Sequence, residues 1–215
     1  MNLPQYNCKE IFKEAYNNRY TWPHPFKGYQ GKCIFIENEK SLEGEFILDS
    51  NFKPKIINIS DKDIIKRISS QLFEVAIHRV KREFNDVHKN NNFKFLGESE
   101  KGVSIEVLGK NEGDKYIVKD KKINMVFRKI HGVIIEIFVQ EFIDTGDGFL
   151  SKKYTSQQLD IGTLTPKSKV LEYEDNFVDL GINSIWVLES RIIKFIDDND
   201  KANELKYIFK ELSSI

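Results

Sequence analysis

Residues 142–146 read Phe-Ile-Asp-Thr-Gly, an apolar pair before Asp-Thr-Gly, which is the pattern of an aspartic protease carboxylate. That chemistry needs two carboxylates sharing one proton, and a Ser or Ala after the glycine, whereas Asp147 follows here and no second copy exists in the chain. The spacing instead predicts a tight turn, with Asp144 and Gly146 supplying the backbone conformations of a hairpin. The acidic ligands of a calcium loop are not in place either. Four histidines come next. His78 and Arg79 fall late in a helical pattern, at the edge of its apolar stripe; His131 precedes Gly132 at a hairpin tip; His88 lies in a polar stretch that reads as a solvated loop; His24 sits between two prolines and should be exposed. No two have H-x-x-x-H or H-E-x-x-H spacing, so no metal ligand is assigned. Cys8 and Cys33, the only cysteines, form no C-x-x-C, and both are expected reduced and partly buried. There is no G-x-S-x-G elbow, and Gly97 to Gly102 lacks the Lys-Ser/Thr of a phosphate loop. The acidic run Glu172, Glu174 and Asp175 is expected on the wet face of an edge strand. No catalytic residue and no cofactor follow from these patterns, and a non-enzymatic role is favoured.

A second concentration of functional residue types is the stretch YTWPHPFKGYQG, Tyr20 to Gly31. Its aromatics suit either a lid over a cavity or a plug in a core, and Trp22 and Tyr29 are the residues expected to cap a cavity mouth. The elements around it are readable. A first helix is predicted over 8–18, capped by Asn7 with Glu10 three residues on, and with Ile11, Phe12, Ala15 and Tyr16 on one stripe. Strands are predicted over 31–59, with a turn at Lys40 to Gly44. A second helix is predicted over 61–84, opened by Ser60 and Asp63 and carrying Ile64, Ile65, Ile68, Leu72, Val75, Ala76 and Val80, a face that Phe73, Ile77 and Phe84 broaden. From 93 to 215 apolar alternation and turn residues predict antiparallel strands. Val133 to Val139 is apolar on both faces and is expected to be central and covered on both sides.

The chain of 215 residues balances 33 Lys and Arg against 33 Asp and Glu, so it has no excess positive charge to collect a nucleic-acid backbone, and no nucleic-acid partner is expected. No apolar run approaches the ~20 residues of a bilayer-spanning helix, which argues against an integral membrane segment. The first residues lack the pattern of a secretory signal, so a cytoplasmic location is expected. The length suits one domain over 1–215.

Several ordered motifs, HRVKREF, GKNEGDKY, INMVFRKIHG, IDTGDGFLSKKYTSQQLD and EDNFVDLG followed by IWVLESR, resemble the domain of unknown function 3386 family of cyanobacteria and plastid-bearing eukaryotes. The resemblance implies an oxygenic phototroph and supplies no reaction. The element order is similar to that of the lipoprotein-carrier fold. The expected class is therefore α+β, a curved, largely antiparallel sheet forming a half-open barrel with helices on its concave face. Such a sheet encloses apolar space, the usual setting for a small ligand. The leading functional expectation is a non-enzymatic binder of an apolar small molecule, a lipid or pigment, with Trp22, Tyr29, His78, Arg79, Arg128, His131 and Tyr154 around it. An assembly factor for photosynthetic complexes, displaying Tyr20, Trp22, Phe26 and Tyr29, is the first alternative. A bilin or chlorophyll-related transferase or lyase using His78, Arg79, Arg128, His131 and Tyr154 is the second.

Overall fold

A computed structural model of the chain describes residues 6–181 and 184–215. The elements are α1 (Cys8–Asn17), β1 (Tyr29–Glu37), β2 (Lys40–Leu48), β3 (Pro54–Ile57), α2 (Lys62–Arg79), α3 (Phe84–His88), β4 (Asn91–Ser99), β5 (Gly102–Gly109), β6 (Lys115–Lys119), β7 (Lys122–Ile130), β8 (Val133–Asp144), β9 (Phe149–Asp160), β10 (Leu171–Asp179), β11 (Trp186–Ile196) and β12 (Ala202–Ser214). The sheet is antiparallel throughout its described pairings. The chain divides into two compact units, residues 1–19 with 82–171 and residues 20–81 with 172–215.

In the first unit the strands run in the order β4-β5-β6-β7-β8-β9, each beside its chain neighbour, as short hairpin turns dictate. Three turns follow their residue types. His131 and Gly132 both take positive φ, 48° and 81°, which a two-residue hairpin of this twist requires. The Asp144-Thr145-Gly146 stretch is a turn: the Asp144 carboxylate accepts from the Gly146 amide at 2.9 Å, and Thr145 bonds the Gly148 carbonyl. Around Glu112-Gly113-Asp114 the backbone closes on Val107 and Asn111. α1 begins where Asn7 accepts from the Glu10 amide. Its buried side, Cys8, Phe12, Ala15 and Tyr16, joins Phe84 of α3 and Val103, Ile105, Val107, Tyr116 and Val118 of the strands in one core.

In the second unit the order is β3-β2-β1-β12-β11-β10, and α2 lies against β1 and β3. Three boundaries differ from the sequence expectation. The β1–β2 turn falls at Asn38-Glu39 rather than Lys40 to Gly44, because Asn38 accepts the left-handed φ of 55°. Asp61, one residue beyond Ser60, caps α2 by accepting from the amides of Asp63 and Ile64. The helix stops at Arg79, where Val80 turns extended; Phe84 belongs to the first unit's core, and Phe73 is exposed.

The acidic run on β10 also departs from expectation. Asp175 is not on a wet face: it and Arg191 of β11 are each 2% exposed, paired in register and joined by two bonds of 2.7 and 2.6 Å. Gln71 of α2 accepts a further bond from Arg191 at 2.9 Å, and Glu74 stands 3.4 Å away. A buried pair of this kind is held by geometry rather than net charge attraction, since desolvation offsets much of the Coulomb gain. Removing one partner strands the other charge. Asp175→Ala is expected to destabilise the second unit by about 3–5 kcal/mol, and Asp175→Leu combined with Arg191→Met to recover most of that loss. Both tryptophans, Trp22 and Trp186, lie in this unit, so urea unfolding followed by tryptophan fluorescence reads it directly.

Candidate functional site

Trp22 is 4% exposed, and Tyr20 and Tyr29 are as fully buried. The Trp22 ring lies 4.9 Å from Phe26, 5.5 Å from Phe52 and 6.2 Å from Tyr29, and Tyr29 meets Phe46 edge-on. The Trp22 indole donates to the Trp186 carbonyl, and its backbone amide donates to the Arg79 carbonyl. Tyr20 donates through its hydroxyl to Ser184 and accepts from the Trp186 amide. The aromatic stretch is thus a plug in the second unit's core. Burial pushes the Tyr29 phenol well above its ordinary range, only partly opposed by the Leu188 amide. At the end of α2, Arg79 donates to the Tyr20 carbonyl at 3.1 Å, whereas His78 points outward and is exposed.

Arg128, His131 and Tyr154 belong to the first unit. His131 is exposed at the β7–β8 tip and Tyr154 is buried on β9. Arg128 is held more tightly. The Asp114 carboxylate, 5% exposed at its side chain, accepts from Arg128 Nε at 3.0 Å and from the Lys129 amide at 3.2 Å. This anchors the β5–β6 turn to β7 and leaves the Arg128 side chain 40% exposed. Burial acts against its charge, but Tyr116 and Asp114 outweigh that, and its pKa lies above the ordinary value.

Register places Arg128 on a definite face. Residues directly opposite in an antiparallel pair share a side of the sheet. Tyr116 pairs with Val126 and Val126 with Ile137, and both Tyr116 and Val126 pack in the core under α1. Arg128, two residues on, pairs with Ile135. Arg128 and the β8 residues Val133, Ile135, Ile137 and Val139 therefore lie on the α1 side. There Val139 pairs with Tyr154, and Ile137 with Ser156. These four aliphatic residues are only half-buried, and on the opposite face Ile134 is buried while Phe138 is exposed. The sequence expectation of a strand covered on both sides is corrected: α1 reaches β4, β6 and β7, and the stripe along β8 extends past it.

Two residues outside the seven sequence-derived candidates stand on the same side. Arg19, just past α1, donates from Nε to the Tyr16 carbonyl at 2.8 Å and lies over the Tyr16 ring at 3.8 Å. His88 is the other, and its solvated-loop reading is overturned: it is 6% exposed and ringed by Phe12, Tyr16, Phe84 and Phe93 at 5.0–5.9 Å. The signal was present in the spacing, since Phe84 and His88, four apart, share one helical face. Asn91 fixes its tautomer. The Asn91 side-chain oxygen accepts from the Asn111 amide, so its nitrogen donates to Asn111 Oδ1 and to His88 Nδ1 at 2.9 Å. Nδ1 is an acceptor and the ring is neutral, with its proton on Nε2. Burial, then the charges of Arg128 and Arg19, push its pKa down to about 4.

An open groove of about 450 Å³ runs between the start of α1 and β4, lined by Tyr6, Asn7, Cys8, Lys9, Asn92 and Phe93. None of the seven sequence-derived candidates lines it. Among the described residues no group of three or more His, Cys, Asp or Glu is arranged to hold a metal ion, and no helix is long and apolar enough to cross a membrane.

A family model described as protein of unknown function (DUF3386) matches residues 3–215. The chain belongs to that family. The match spans both compact units, so membership extends to the elements that carry Arg19, His88 and Arg128 as well as to the aromatic plug. No curated protein and no solved structure matches the chain significantly.

The neutral, caged His88 makes the first unit acid-sensitive. An unfolded chain takes up a proton near pH 6.5, whereas the folded ring resists until about 4. Its contribution is therefore nil above pH 6.5 and increasingly destabilising as pH falls from 6.5 toward 4, by up to about 1.4 kcal/mol per pH unit. Between pH 7 and pH 5 the native chain should lose about 1–2 kcal/mol more stability than His88→Gln, measured by urea unfolding with tyrosine near-ultraviolet circular dichroism.

Proposed function

We propose that the protein is a non-enzymatic binder of an apolar small molecule, a lipid or pigment, taken up on the α1 side of β8 in the first unit. The observation that supports this most is the half-buried aliphatic stripe of Val133, Ile135, Ile137 and Val139. Contiguous exposed apolar surface is costly in water, at about 25 cal/mol per Å², and marks interaction sites more often than isolated exposed residues do. Of the residues expected at the site, Arg128 and Tyr154 border the stripe by register and His131 closes its hairpin. Trp22 and Tyr29 are spent on the second unit's core and take no part in this reading. A half-open barrel of the lipoprotein-carrier kind and an oxygenic-phototroph setting remain parts of the same proposal. The assembly-factor alternative finds no surface in Tyr20, Trp22 or Tyr29, which are buried.

Native mass spectrometry of the gently purified protein should show an added mass that organic extraction removes. Ile135→Asp and Ile137→Asp should each abolish the added mass while costing under about 2 kcal/mol of stability, because the side chains are only half-buried. A bare polypeptide mass, together with no uptake of decanol or decanoate, contradicts the proposal.

A further inference from the structure

The stripe along β8 has a charged neighbour. Arg128 pairs with Ile135 on the stripe's own face, and its Nε is engaged by Asp114 while its two terminal nitrogens carry no described bond. Arg19 joins it from α1. The Tyr16 ring that Arg19 covers lies 6.3 Å from Phe12, which is 4.5 Å from Tyr116, the strand partner of Val126 two residues before Arg128. Arg19 engages only Tyr16, by Nε and by ring stacking, and among the described residues no carboxylate reaches it. Burial lowers its pKa; Tyr16 and Tyr116 oppose that, and the nearby Arg128 adds to the lowering. His88, held neutral by Asn91, brings no third charge. Of these two guanidinium groups only that of Arg128 has a described counter-charge, Asp114, which it engages through Nε alone.

That combination selects for a molecule with an apolar tail and a flat anionic head. Guanidinium forks recognise a carboxylate through paired N–H donors in one plane. We propose that the ligand is a long-chain fatty acid anion, its carboxylate seated on the terminal nitrogens of Arg128 and Arg19 and its chain laid along Val133, Ile135, Ile137 and Val139. The proposal rests on the binder reading and adds the head group to it. Arg19 is also a structural residue, closing the last turn of α1 through the Tyr16 carbonyl.

The test compares decanoate with decanol, which share a tail and differ in the head, by titration calorimetry on the full chain. Decanoate should bind at least about tenfold more tightly at 50 mM NaCl, and only its affinity should fall at 500 mM salt. Arg128→Gln should bring decanoate toward the affinity of decanol, lowering decanoate binding by more than it lowers decanol binding. Arg128→Lys and Arg19→Lys keep the charge without the fork and should retain part of the preference, guarding against a folding defect in the neutral variant. Equal binding of the two ligands by the native protein, or a salt response shared by both, overturns the head-group assignment and leaves the binder reading standing. Binding of neither overturns both.

Discussion

The carboxylate of Asp114 is the constraint on which the first unit's arrangement depends. It sits in the β5–β6 turn, nearly inaccessible to water, and its two oxygens are taken by the Lys129 amide and by Arg128 Nε. A buried carboxylate left unpaired would cost several kcal/mol, so the turn, the β7 backbone and the arginine are locked together. With Arg128 fixed, its terminal nitrogens are directed without side-chain entropy being lost at the moment of binding. Burial among four aromatic rings, and after it the charges of Arg128 and Arg19, keep His88 neutral.

The second unit uses the same device for a different purpose. Arg191 and Asp175 are as buried as any aliphatic residue, yet Gln71 and Glu74 of α2 complete the arginine's bonds. The pair therefore ties α2 to β11 through Arg191. Beside it the aromatic segment fills space with rings, two of which are bonded to backbone by their polar atoms: the Trp22 indole to Trp186 and the Tyr20 hydroxyl to Ser184. The proposed binding site lies where the packing is incomplete, along β8.

What could be read in the sequence was local. Asn7 and Glu10 announced α1, the His131-Gly132 pair announced a hairpin, and Asp144-Thr145-Gly146 was legible as a turn because its side-chain bonds close within three residues. What could not be read was nonlocal. Asp175 looked like one more surface acid because its partner is 16 residues away and the helical residue that completes the network is 120 residues from Arg191. His88 looked solvated because the composition around it is polar; Phe84 of its own helix was a local signal, but Phe12, Tyr16 and Phe93 come from α1 and β4. Arg19 drew no notice at a helix end, where a basic residue needs no special explanation. The β8 stripe was visible as a pattern, but its exposure depends on where α1 stops, and helix placement is a tertiary outcome.

The central claim, that an anionic amphiphile lies along β8 with its head at Arg128, is tested most directly by nuclear magnetic resonance of protein carrying labelled arginine side chains and labelled Ile and Val methyl groups. On titration with decanoate the Arg128 Nε–H signal and the methyl signals of Val133, Ile135, Ile137 and Val139 should shift together along one binding curve. Shifts confined to the groove at Tyr6 and Phe93, to the second unit, or to the methyl groups without Arg128 would contradict the account.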